Sequence, residues 1–448
     1  MVKKQSGIVN YPLHSSVKDE PVLIINGRLI DPVNNRDGIY HILIEDGKIK
    51  SVSDSIPALS SSIRTIDAKN KWIIPGLMDM HVHLREPGRE DKETIATGTQ
   101  AAAAGGFTSV ACMPNTTPAL DEESKIRYVI QHGEDCPCKI YPIGAITKGL
   151  EGEEIAPMGE MVKAGARAVS DDGKSVAKSN VMRNALNYSK SFNIPVICHC
   201  EEAALSQKGH MNEGVVSTRL GIRGIPTIAE EIAVARDLLL AEYTGARVHI
   251  AHVSTAGSVR LVRDAKSRGV KVTAETCPHY FTLIDQDVGP YDTNKKMNPP
   301  LRTAADREAI IAGLIDGTID VIASDHAPHV SEEKDVEFDA AAFGVVGLET
   351  SVGIVLTYLV DKGFISASDM VEKMSVEPNR IMGLSGGTLS CGAAADVTII
   401  DPQANWIVKP EYFFSKSRNT AFNGFSLKGY AWMTILDGRV VFERNECC

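Results

Sequence analysis

The chain has 448 residues, 43% hydrophobic and 23% charged, a usage that excludes disorder, collagen-like repeats and a disulfide scaffold. Lys and Arg number 47 against 57 Asp and Glu, and the net charge of -10 gives no bulk attraction to nucleic acid or an anionic membrane. No run of 18 apolar residues is present to form a conventional transmembrane helix.

Residues 1–20 carry Lys3-Lys4 but no apolar segment of the secretory kind, so a cytoplasmic enzyme is expected. The nine cysteines include Cys136-Pro-Cys138, Cys198-His-Cys200 and Cys447-Cys448. None of these pairs has a matching second pair nearby, and free buried thiols are the default reading.

Residues 21–72 alternate apolar and polar side chains around Asn26-Gly27 and Asp46-Gly47, dipeptides suited to tight hairpin turns. Val22–Ile30 and Ile39–Val52 therefore read as antiparallel strands. At the other end, the β-branched run Asp396–Asp401 and a hairpin over Ile435–Phe442 repeat this style. Segments 21–72 and 386–448 are expected to pair into one small β-sandwich domain built from both chain ends.

Between them, 73–385 alternates short apolar runs with helix-length segments. The runs are Ile73–Met80, Phe107–Met113, Lys139–Ile146, Ala166–Ser170, Ile194–Cys198, Val248–Val253, Val270–Ala274 and Val321–Ser324. The clearest helix is Thr227–Ala241, with Ile228, Ile232, Ala235 and Leu239 at helical spacing and Thr227/Glu230 in a capping-box pattern. Eight strand–helix units over about 300 residues suit an α/β fold, a (β/α)8 TIM barrel, which needs about 250. An open doubly wound sheet is the rival, but Pro75-Gly76-Leu77 offers no glycine-rich phosphate loop.

Barrel enzymes carry their chemistry at the C-terminal ends of the strands. Those ends read Asp79-Met-His81-Val-His83-Leu-Arg85, Met113-Pro-Asn115, Ser170-Asp171-Asp172-Gly173, Cys198-His199-Cys200, Ala251-His252-Val253 and Ser324-Asp325-His326-Ala-Pro-His329. Six of the twelve histidines fall there. His81 and His83, two apart on a strand, point the same way and can hold one ion. Imidazole nitrogens suit zinc, and with His199, His252 and Asp325 the set is large enough for two metals about 3.5–4 Å apart. Asp171 and Asp172 both offer a bridging carboxylate, with Asp172 favoured and Lys174, if carboxylated, the third candidate. Alternation does not choose between the two aspartates. His326 should point away from the site, and His279 should pack near its mouth.

The chain closely resembles the dihydroorotases of the amidohydrolase superfamily, in its bacterial, aspartate-bridged branch. The resemblance runs from the Asn26-Gly27 strand to the C-terminal hairpin. It rests on Asp79-Met-His-Val-His-Leu-Arg85-Glu-Pro-Gly88, Met113-Pro-Asn-Thr-Thr-Pro118 and Ala323-Ser-Asp-His-Ala-Pro-His329 with Lys334 five residues on. It implies two Zn2+ ions per subunit, one on His81, His83 and Asp325, the other on His199 and His252, with Asp172 bridging. It implies substrate contacts from Arg85, Asn115, Asn298, His329 and the backbone at Phe343-Gly344. The implied reaction is reversible cyclisation of N-carbamoyl-L-aspartate to L-dihydroorotate and water in pyrimidine biosynthesis. A zinc-bridged hydroxide would be the nucleophile of the reverse step, and Asp325 the general acid/base. The rivals are another cyclic amidase (hydantoinase, dihydropyrimidinase or allantoinase) and a non-catalytic scaffold. Arg85 speaks against a neutral ring, and the complete ligand set speaks against a scaffold. The sequence leaves open a homodimer, an association with aspartate transcarbamoylase, and closure of loop 283–303 as a lid.

Overall fold

The computed structural model describes residues 20–57 and 63–444, so Cys447-Cys448 lies outside the described residues. The larger elements form two eight-stranded sheets. One draws on both chain ends. Val22–Asp31 lies antiparallel to Arg36–Glu45 and parallel to Trp72–Pro75, which in turn runs antiparallel to Val397–Ile407. This sheet encloses its own core, with Ile24, Ile42, Ile49, Val397 and Ile435 buried.

Two turn readings change. Asp46-Gly47 does turn the chain, and it divides Ile39–Val52 into the antiparallel strands Arg36–Glu45 and Lys48–Ser53. Asn26-Gly27 is not a hairpin. Asn26 has φ 63°, and the register of Val22–Asp31 shifts between Ile24 and Gly27, so the positive φ is spent on a bulge within one strand.

The second sheet is the barrel. Leu77–Val82, Phe107–Cys112, Lys139–Ala145, Ala168–Ser170, Val196–Cys198, Val248–Ile250, Val272–Thr276 and Val321–Ile322 pair in parallel in chain order. A parallel bridge between Val82 and His326 joins last to first, where His83 N donates to His326 O at 2.9 Å. The expected (β/α)8 barrel is observed, and closure excludes the open sheet. The run Ile73–Met80, however, is two strands. Trp72–Pro75 belongs to the chain-end sheet, and the barrel begins at Leu77. Gly76 makes the transition, where a Cβ would lie 2.1 Å from Thr108 Oγ1.

Helix Thr227–Thr244 forms, but with the opposite face inward. Ile228, Ile232 and Leu239 are exposed, while Ala229, Ala233, Val234, Leu238 and Ala241 are buried. The buried face thus combines three alanines with Val234 and Leu238, while Ile228, Ile232 and Leu239 face out. The capping box is also absent. Pro226 occupies the N-cap, and the Glu230 carboxylate instead accepts from Ser254 N at 3.1 Å and Thr255 N at 3.3 Å.

Candidate metal centre and anion clamp

The first barrel strand ends in His81 and His83, whose rings both turn into the barrel mouth with centroids 5.4 Å apart. Asp325, after the eighth strand, meets both. Its Oδ1 is 3.2 Å from His83 Nε2 and 3.5 Å from His81 Nε2. Across the mouth, His199 Nδ1 and His252 Nε2 lie 2.9 Å apart. Asp172 stands between the two groups. Its Oδ1 is 3.4 Å from His81 Nε2 and 3.7 Å from both His199 Nδ1 and His252 Nε2. Its Oδ2 is 3.5 Å from His83 Nε2.

Asp171 faces elsewhere. It accepts from Ile146 N at 2.8 Å and Thr147 N at 3.0 Å, as well as from the Thr147 hydroxyl. The strand Ala168–Ser170 has already ended before Asp171, so strand alternation does not apply there.

All six of these residues are buried, so ionised carboxylates are tolerated only with compensation. For Asp172 and Asp325, burial opposes ionisation, yet the surrounding imidazoles hold both carboxyls below the usual carboxylate range. His81 Nε2, Asp172 Oδ1 and His252 Nδ1 are buried with no hydrogen-bond partner. Polar atoms orphaned in this way call for an unseen partner, and nitrogen and carboxylate oxygen donors converging on one point fit a divalent metal. His81, His83 and Asp325 form one such convergent group, and His81, Asp172 and His252 another. Three residues here bend the backbone against its preference: Arg85 (φ 61°), His252 (φ 33°) and Asp325 (φ 48°). Strain of this kind in non-glycine residues clusters at functional sites.

Beside the metal group lies a cationic pocket. Arg85 is half-buried, donates through Nε to Pro328 O at 3.2 Å, and has Nη2 3.4 Å from His329 Nε2. Among the described residues no carboxylate lies within 4.0 Å of its guanidinium. Burial pulls Arg85 down to about 10, still charged at neutral pH. Burial, then Arg85 and Lys92, push His329 down to about 3, against the opposing effect of Glu333. His329 Nε2 is 2.8 Å from Phe343 O, which ties the ring to the Phe343-Gly344 backbone.

Asn115 takes an additional post: His83 Nδ1 lies 2.8 Å from its Oδ1, and its Nδ2 donates to Asp172 Oδ2 at 3.2 Å. Asn298 Nδ2 donates to Glu201 Oε2 at 2.6 Å, and Glu201 also lies 3.5 Å from His199 Nε2. His326 packs away from the centre, with Nε2 3.3 Å from Glu93 and Nδ1 accepting from Gly347 N at 3.2 Å. His279 is buried against Tyr280, their ring centroids 4.2 Å apart.

Several participants escape a reading of strand ends. Lys92 Nζ lies 2.7 Å from Glu333, which also lies 2.7 Å from His329 Nδ1. Lys334 donates to the carbonyls of Lys296, Ala342 and Gly344 at 2.8–3.3 Å, binding the Asn298 loop to the Gly344 loop. Glu275, within the seventh strand, reaches His81. It directly follows the apolar run Val270–Ala274, and that position at a strand end was the available signal for it. The half of loop 283–303 nearest the site is fixed: Lys296 donates to Phe338 O at 2.7 Å and Arg302 to Ile225 O at 2.8 Å. The seven described cysteines are free and six are buried.

Residues 70–258 match the family model described as "Dihydro-orotase-like". A dihydroorotase of Pelotomaculum thermopropionicum is 55% identical over 422 residues, covering 94% of this chain and 98% of the relative. One of Pelobacter propionicus is 53% identical over 424 residues, covering 94% and 100%. The chain belongs to the dihydroorotase family. Among solved structures, the L-hydantoinase (dihydropyrimidinase) of Arthrobacter aurescens superposes with a TM-score of 0.86 at 26% identity, covering 96% of this chain and 97% of that one. Dihydroorotases and hydantoinases thus share this barrel and chain-end sheet, and membership makes the chain a metal-dependent cyclic amide hydrolase acting on a small molecule. No described helix is long and apolar enough to cross a membrane.

Proposed function

We propose that the chain is a cytoplasmic dihydroorotase that interconverts N-carbamoyl-L-aspartate and L-dihydroorotate at a site holding two zinc ions. The observation that supports this substrate most directly is Arg85: a desolvated guanidinium beside the metal group with no carboxylate within 4.0 Å among the described residues. A ring carrying a carboxylate supplies that partner, whereas a neutral hydantoin or dihydropyrimidine leaves the charge unpaired.

His81, His83 and Asp325 would hold one zinc, His199 and His252 the other, and Asp172 would bridge them. Bound there, the metals would polarise the ring amide and make water nucleophilic at neutral pH. The protein's own groups do the rest. Arg85 binds the substrate carboxylate, with His329 and Asn115 beside it, while Asn298 and the Phe343-Gly344 backbone orient the ring. In hydrolysis Asp325 takes the proton of the attacking water and passes it to the ring nitrogen as the C–N bond breaks. In cyclisation it returns that proton as water leaves. We assign 21–75 with 386–448 to the chain-end domain and 77–385 to the catalytic barrel, which moves the boundary expected at 72/73 to Gly76.

Absorbance near 230 nm with dihydroorotate, dihydrouracil, hydantoin and allantoin, with metal analysis on the same sample, tests this. Selective turnover of dihydroorotate with two zinc ions per chain is expected. Turnover of the neutral rings in its place moves the chain to the hydantoinases, and none with metal fully loaded makes it a scaffold. Light scattering, alone and with aspartate transcarbamoylase, tests a homodimer and an association between the two enzymes.

A further inference from the structure

Glu275 is fully buried on the seventh strand, and its Oε1 is 2.5 Å from His81 Nδ1. Its other oxygen is 3.2 Å from Nε2 of the buried His249, on the sixth strand, and His249 Nδ1 lies 2.8 Å from Thr273 Oγ1. With both rings neutral, as metal binding at His81 requires, one set of proton positions satisfies every member. Thr273 donates its hydroxyl proton to His249 Nδ1, His249 donates Nε2–H to Glu275, and His81 donates Nδ1–H to the same carboxylate. The lone pair of His81 Nε2 then points into the barrel mouth, where that atom has no hydrogen-bond partner.

Among the described residues no lysine or arginine pairs with Glu275; its ion-pair partners are the two imidazoles alone. A carboxylate taken out of water with no formal cation beside it is costly. A divalent ion at His81 Nε2 would supply the missing charge through the ring. Imidazole ligands generally donate their second N–H in this way, which fixes the tautomer and raises ligand basicity.

We propose that Glu275 is a positioning residue that holds His81 in its metal-binding tautomer, and that His249 and Thr273 hold Glu275 in turn. This rests on the metal reading above. It makes His81 unlike His83, whose Nδ1 meets the neutral amide of Asn115. The two histidines of that one metal position therefore differ: His81 leans on a buried charge, His83 on a neutral amide.

The test is Co2+ binding to the metal-stripped full chain, by chelator competition and visible spectrum, for the parent, Glu275→Gln and His249→Phe. Glutamine keeps the shape and removes the charge. We expect Glu275→Gln to weaken one of the two Co2+ equivalents about 10–100-fold and to alter its visible bands, with the thermal midpoint of the metal-free protein unchanged. His249→Phe should weaken the same equivalent, less strongly, and it carries the test should Glu275→Gln fail to fold. Parent-like Co2+ affinity in the folded variants overturns the proposal. Failure of the parent itself to bind Co2+ overturns instead the metal reading on which it rests.

Discussion

Asn115 links His83 to Asp172: its amide oxygen lies 2.8 Å from His83 Nδ1 and its amide nitrogen donates to Asp172 Oδ2 at 3.2 Å. The residue expected to touch substrate is therefore tied first to two candidate metal ligands. Asn115→Ala should release metal about tenfold more readily, the usual scale for losing a group that orients a ligand. Chelator competition on the purified variant checks this. A variant that retains metal like the parent and loses only substrate affinity would confine Asn115 to the substrate.

Asp325 reaches both His81 and His83, and it is also placed to move the proton. Asp325→Asn keeps the size and an oxygen donor but removes the basicity. A fall in kcat of about 10²–10⁴-fold is expected, the range for losing a positioned acid/base. Metal content measured alongside should stay near that of the parent.

Arg85→Met removes the guanidinium while retaining much of the stem. Charged hydrogen bonds contribute roughly 1.5–3 kcal/mol, so KM for dihydroorotate should rise about 10–100-fold with a smaller change in kcat. Residual hydrolysis of a neutral ring should not fall. Steady-state kinetics on both substrates separates the two cases.

Gly344 has φ 131°, and a Cβ there would lie 2.7 Å from Ala327 Cβ and 3.2 Å from His329 Nε2. Its carbonyl is also held by Asn419 Nδ2 and Lys334 Nζ, each at 3.1 Å. The loop cannot step back without breaking those bonds. Gly344→Ala should lower the thermal midpoint and raise KM together, as calorimetry and kinetics on one preparation would show.

Glu349 accepts from Phe414 N at 2.9 Å and Ser415 N at 3.1 Å, yet burial pushes its carboxyl up to about 7. Between the ordinary value of about 4.3 and 7, the folded chain thus binds a proton that the unfolded chain does not. Stability from this group is present below that window and falls as pH rises through it. Glu349→Gln should gain on the parent from pH 5 to pH 8, by on the order of 2 kcal/mol. Denaturant unfolding at both pH values measures the difference. A gap that does not change with pH would remove Glu349 as its source.

The barrel and the histidines at its mouth were legible because they follow local rules. A strand of alternating faces sets His81 beside His83, and chain order places the remaining strand ends around one rim. What escaped is set by packing between distant segments. Asp172 is selected over Asp171 because Ile146 and Thr147, from another loop, capture Asp171. Helix Thr227–Thr244 shows Ile228, Ile232 and Leu239 to solvent because the face with Ala229, Ala233, Val234, Leu238 and Ala241 is the one that packs inward. Lys92 meets His329 and Glu333 only after the loops that follow the first and the eighth strand have come together.

The short strand Trp72–Pro75 has Val22–Asp31 on one side and Val397–Ile407 on the other. During synthesis the second neighbour does not exist until the whole barrel has left the ribosome. Until then the N-terminal strands carry an open edge, a template for pairing with the wrong chain. The last segment of the polypeptide therefore seals the first, and a chain stopped short of residue 397 would carry every candidate metal ligand yet keep an aggregation-prone margin.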